Sequence, residues 1–140
     1  MASAADLTER LSRLALFADV PRAEVESLAA RGQEASFREG VFVIRRGEPG
    51  LALYVILEGE AASSIDDVER LRLPVGAFFG EVSVLLDEPV LADIVARSPL
   101  RCLVVPAAEV EELLLASPRT ILNMLKTEAR RVRSATEWHN

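Results

Sequence analysis

The apolar positions of this chain change period twice. Leu7, Leu11 and Leu14, then Val25, Leu28 and Ala29, recur at steps of three and four, which lines one face of a helix. Pro21 stands where a second helix would begin, its missing N–H no loss there, and Gly32 where that helix would end. From Gln33 to Val105 the period falls to two. Glu34–Phe37, Val41–Arg45, Leu51–Leu57, Glu60–Ser64, Glu69–Leu73, Leu91–Val95 and Leu100–Val105 are short segments rich in Val, Ile, Leu and Phe. Turn residues separate them, among them Gly47-Glu48-Pro49-Gly50, Glu58-Gly59, Asp66-Asp67 and Pro74-Val75-Gly76. After Val105 the helical spacing returns: Val110, Leu113 and Leu114 form one stripe. Ser117-Pro118 reads as an N-cap with proline in the first helical position, and Leu122, Leu125, Ala129 and Val132 form a narrow seam on the final helix.

This order predicts one mainly β domain with flanking helices: a helical segment at 1–32, an antiparallel β-roll at 33–105 and two C-terminal helices at 106–140. Many short strands call for a jelly roll (double-stranded β-helix), because antiparallel sheets protect their edges by folding over. The seam either covers the chain's own core or meets a partner helix, in which case the protein is a homodimer through its C-terminal helix.

Composition narrows the chemistry. A chain of 140 residues is long enough for a proper core. Its 22 acidic against 16 basic residues argue against sequence-independent nucleic-acid binding, which needs clustered cations to displace counterions. The run Arg130, Arg131 and Arg133 reads as the solvated face of the last helix. Cys102 lies alone in an apolar run and reads as a buried, inert thiol. The start Met1-Ala-Ser-Ala-Ala has no signal-peptide pattern and Leu51–Leu57 is too short to span a bilayer, so a cytoplasmic protein with no membrane contact is expected. His139, near the terminus, is the sole histidine. Neither a metal centre nor a Ser/His/Asp set can be assembled around it, so no enzyme activity, cofactor or metal is expected.

The stretch 78–95 carries the most specific pattern: Phe78-Phe79-Gly80-Glu81, aliphatic residues, Leu85-Leu86, a short spacer, then Pro89-Val90-Leu91-Ala92-Asp93-Ile94-Val95. It resembles the phosphate-binding cassette of the cyclic nucleotide-binding domain family, with a turn of helix expected inside 78–93. Gly40 to Gly50 and Tyr54 to Glu60 resemble the family's glycine-punctuated strands, so the likeness runs over roughly residues 11 to 133. It implies a ligand-binding set of Phe79, Gly80, Glu81, Val82, Val90, Leu91, Ala92 and Asp93. In it Glu81 accepts from the ribose 2'-hydroxyl, and N–H groups near Gly80 and Val82 meet the phosphate.

Two positions depart from the family pattern. Val90 stands where the resemblance puts the phosphate-pairing arginine, and Asp93 where it puts a hydroxyl residue. Glu81, Asp87, Glu88 and Asp93 bring four carboxylates to the segment and no basic residue. Three readings stay open. Arg72 or Arg97, or Arg45 and Arg46, supplies a compensating cation; a neutral or cationic ligand uses the cavity; or Val90, Leu91 and Ile94 extend the core where ligand once sat. Trp138 is a candidate lid. The resemblance implies a regulatory module, with another protein as effector or output by self-association; the rival reading is a receptor for cyclic AMP or cyclic GMP.

Overall fold

A computed structural model describes residues 3–138, with side chains described through residue 136. Ser3 caps α1 (Ala4–Ser12): its Oγ accepts from the Asp6 N–H at 3.2 Å and the Asp6 carboxylate accepts from the Ser3 N–H at 3.4 Å. Two donors beyond the reach of helical carbonyls are thereby satisfied. A 3₁₀ turn at Ala15–Phe17 leads to α2 (Arg22–Arg31), for which Pro21 is the N-cap rather than the first helical residue. Gly32 ends α2 in extended, not left-handed, backbone. A Cβ there would lie 2.7 Å from Leu103 Cδ1, so close packing is what demands glycine.

Eight strands follow: β1 (Gln33–Phe37), β2 (Phe42–Ile44), β3 (Ala52–Glu58), β4 (Ala61–Ile65), β5 (Val68–Leu73), β6 (Phe78–Phe79), β7 (Asp93–Ala96) and β8 (Leu100–Pro106). They form two open four-stranded sheets, ordered β1-β8-β3-β6 and β2-β7-β4-β5, with every neighbouring pair antiparallel. This is the expected roll. β6 is only two residues long, too short for a period to show in sequence. β7 begins two residues later than the hydrophobic run, because the backbone of Val90 is bonded to the 47–48 turn instead of to a ladder.

The period of two sorts the strand residues between two cores. From β3, Leu53, Val55 and Leu57 face the helices, while Ile56 and half-buried Tyr54 face the interior of the roll. β8 does the same, with Leu103 and Val105 on one side and Leu100 and Cys102 on the other. Each such side chain stabilises the fold by roughly 1.5–3 kcal/mol through burial. Burial also pushes the Cys102 thiol up to about 12, so it stays protonated and unreactive at neutral pH.

Between β6 and β7 lies α3 (Glu81–Leu86), the helical turn expected there; α4 (Ala107–Leu115) and α5 (Pro118–Trp138) close the chain. Ser117 precedes α5 with its hydroxyl 2.7 Å from that of Thr120. Thr120 and Met124 are the buried positions of α5, and Asn123, Thr127, Glu128 and Arg131 are half-buried. Leu122, Leu125, Ala129 and Val132 all face outward and are exposed. The seam therefore does not cover the chain's own core. No helix among the described residues is long and apolar enough to cross a membrane.

Candidate functional site

The site is built where β6 hands over to α3. Phe79 stacks on Tyr54 of β3 with ring centroids 4.8 Å apart and planes 5° from parallel, which fixes the end of β6. Gly80 then takes φ 85°, and a Cβ at that position would lie 2.5 Å from the carbonyl oxygen of Ala52. Both the left-handed backbone and the close approach require glycine. Gly50 has a different constraint from the turn role its sequence setting suggests: a Cβ there would lie 2.6 Å from the Ser83 Cβ, so its loop packs directly on α3.

After α3, Asp87 is left-handed (φ 54°) and the chain returns along the mouth of the roll. Val90 is fixed by its backbone: its N–H donates to Glu48 O at 2.9 Å and its carbonyl accepts from Gly47 N–H at 2.8 Å. Its side chain is 9 % exposed and packs with the roll interior, as does Ile94. Leu91, by contrast, is 67 % exposed, so of the three residues considered as a core extension only Val90 and Ile94 enter it.

A cavity of about 190 Å³ opens between these segments. Its walls are mostly apolar (Ile44, Leu71, Leu73, Phe79, Val90, Ile94), with Gly80, Val82, Leu91 and Ala92 at its edges. The polar groups are Glu81, Ser63, Ser83 and one cation, Arg131. Seven of the eight residues of the expected set thus line one cavity. Asp93 does not; its carboxylate accepts from the Arg46 backbone N–H at 2.8 Å and ties β7 to the end of β2.

Arg131 reaches the cavity from α5, fifty residues after Glu81. One Nη donates to Glu81 at 3.1 Å and to Glu128 at 3.0 Å, the other to the carbonyl oxygen of Phe78 at 2.7 Å. The guanidinium also lies over the Phe78 ring, 4.5 Å from its centroid. The Glu81 side chain is only 5 % exposed. Burial, and then the hydrogen bond and charge of Glu128, push its carboxyl up to about 8, against the opposing pull of Arg131. At neutral pH the Glu81 carboxyl therefore holds its proton for the most part.

The solvated role expected for Arg131 is corrected by this geometry. The apolar seam drew attention to the wrong face of α5; the signal lay in Thr120, Met124, Glu128 and Arg131, spaced by four, four and three along the inward face. The other arginines considered as cations are engaged away from the cavity walls. Arg72 pairs with Glu60 and Glu69, Arg97 with Glu69 and Arg46 with Asp66, while Arg45 lies over Phe42. The side chain of Trp138, the candidate lid, and all of His139 lie outside the described residues. Among the described residues no group of three or more His, Cys, Asp or Glu side chains could hold a metal ion.

Comparison with known proteins agrees with this architecture. Over 97 % of its length the chain superposes on 47 % of a cAMP-bound PfPKA-R with a TM-score of 0.85 at 20 % identity. For the regulatory domain of Toxoplasma gondii PKA with cAMP, the TM-score is 0.80 at 19 % identity, over 90 % of this chain and 50 % of that one. The regulatory subunit of a cAMP-independent protein kinase A from Trypanosoma brucei gives a TM-score of 0.79 at 25 % identity, over 92 % of this chain and 48 % of that one. In sequence, the chain is 32 % identical over 111 residues to a protein of Rhodopseudomonas palustris named "Putative potassium channel protein". That match takes in 77 % of this chain but only 27 % of the relative, so the chain spans about a quarter of that protein's length. The family model for the cyclic nucleotide-binding domain matches residues 34–117, more than half of the sequence, and the chain belongs to that family.

Proposed function

We propose that this domain is a non-enzymatic regulatory module that does not bind cyclic AMP or cyclic GMP in the usual way, and that it acts through another protein. The observation that carries this reading is the state of the cavity's cations. Val90 stands buried where the resemblance puts the phosphate-pairing arginine, and Arg131, the cation in the cavity wall, is already bonded to Glu81 and Glu128. Losing one partner of a buried, hydrogen-bonded charge pair costs on the order of 2–5 kcal/mol. For a phosphodiester that is a weakening of roughly 30- to 4000-fold. The Trypanosoma brucei relative, cAMP-independent by description, supports the idea that this fold can regulate without that nucleotide.

The second reading, a receptor for a cyclic nucleotide or another small molecule, is favoured by the open cavity and by the cAMP-bound relatives. Isothermal titration with cyclic AMP and cyclic GMP separates the two. We expect weak or no binding by the unmodified protein, and a gain of at least about tenfold in Val90→Arg, alone or with Asp93→Thr. Because Asp93 is turned away from the cavity, Val90→Arg carries most of the gain. Tight binding by the unmodified protein overturns the reading and means that another arginine has taken over the phosphate.

A further inference from the structure

Next to the roll cavity, and sharing Leu71, Leu73 and Arg131 with it, an open cleft of about 400 Å³ lies between the 3₁₀ turn, the 74–77 turn and α5. Ligand pockets ordinarily measure roughly 300–1,000 Å³, a range that the cleft enters and the roll cavity does not. Buried Leu16, Leu73 and Phe78 form its floor, and half-buried Leu14 and exposed Val75 complete the apolar lining. Its charge is opposite to that of the chain as a whole. Arg13, Arg72 and Arg131 line it and no Asp or Glu does, in a sequence of 22 acidic and 16 basic residues.

Two polar groups in this lining are available to a ligand. Arg72 and Arg131 are each held by two carboxyl groups, but the partner of Arg13 is Glu9 alone, one turn back on α1 and 3.0 Å away. Both members of that pair are more than half exposed, so it contributes little and Arg13 can turn to another anion at small cost. The second group is the hydroxyl of Thr127. A helical threonine commonly bonds the carbonyl four residues before it, as Thr8 does to Ala4 and Thr136 to Val132. Thr127 is half-buried in the cleft wall, yet its hydroxyl bonds to no other described residue.

We propose that this cleft binds a small amphipathic carboxylate, with its apolar chain on Leu14, Leu73, Val75 and Phe78 and its charged end on Arg13 and Thr127. One guanidinium and one hydroxyl are donors enough for the two oxygens of a carboxylate. A doubly charged phosphate would keep one charge without a partner, because Arg72 and Arg131 are already committed. The cleft is a separate volume from the roll cavity, so this inference and the reading above fail separately.

Titration of the 140-residue chain with octanoate, followed by amide-resolved NMR, tests it. The expected result is saturable, submillimolar binding, with shifts at residues 13–16, 74–77 and Thr127. Octanamide, of equal length and without the charge, should bind at least about tenfold more weakly, and so should octanoate to Arg13→Gln. Thr127→Val keeps the shape of the side chain and should weaken octanoate several-fold while the thermal melt stays where it is. Octanoate that moves no amide of the cleft at millimolar concentration overturns the proposal. Equal binding of octanamide also overturns it, since the cleft would then be an apolar patch and not a carboxylate site. So does an affinity that is unchanged in both variants, or a set of shifts confined to residues outside the cleft.

Discussion

Arg131 holds the Glu81 carboxyl from a helix that the chain does not reach for another thirty-seven residues, so the two ends of the site belong to elements far apart in sequence. Glu81 opens α3 inside the roll, and Arg131 sits well along α5. The contact ties the C-terminal helix to the β-roll. Replacing Arg131 with Gln should free the second half of α5. Hydrogen exchange of the amides from 128 to 136 should quicken by about tenfold or more while those of β3 and β8 stay protected. Equal protection in both proteins would show that α5 is held by its packing on the 3₁₀ turn and α4.

The raised pKa of Glu81 gives stability a pH dependence of definite sign. A carboxyl titrating near 8 in the folded state and in the usual carboxylate range when unfolded makes the native state bind the extra proton between those values. Its stabilising effect is complete below the unfolded pKa and is lost as pH rises to about 8, above which the curve levels. Urea melts at intervals from pH 5 to 9 should show a decline on the order of a few kcal/mol. Glu81→Gln, which cannot titrate, should flatten that part of the profile.

Gly80→Ala tests the construction of the site itself. The substitution places a Cβ against the Ala52 carbonyl in left-handed backbone, so it should cost at least about 2 kcal/mol or displace α3. Thermal unfolding gives the first value. Loss of the near-ultraviolet signal of stacked Tyr54 would report the second.

Leu103→Ala removes a fully buried side chain that packs between β8 and the helices and lies against Gly32. A loss of roughly 2–5 kcal/mol is expected in chemical denaturation. The smaller Val104→Ala, at a partly buried position of the same strand, should cost less than half as much.

Strand periodicity made most of the roll legible in sequence, because alternate residues of β3 and β8 are sorted between two apolar cores and leave a period of two. The helical turn after Gly80 was legible for a different reason: it is marked by an ordered motif. What escaped was whatever depends on contacts between distant segments. Two-residue β6 has no period of its own and exists because it pairs with Tyr54 and Val55. Arg131 carries no local sign of its role, since a cation on a terminal helix is usually solvated. Asp93 reads in sequence as a charge beside the cassette, yet a single backbone N–H from Arg46 turns it away.

Because both backbone groups of Val90 are taken by Gly47 and Glu48, the loop keeps its course whatever side chain position 90 bears. Residue 90 is a socket: its direction into the roll is set by main-chain bonding, and its chemistry is left to the side chain. A protein built this way can gain or shed affinity for an anion through one substitution, with no new fold to find. Within a lineage, the change from nucleotide sensor to nucleotide-blind module, and back again, is a short step.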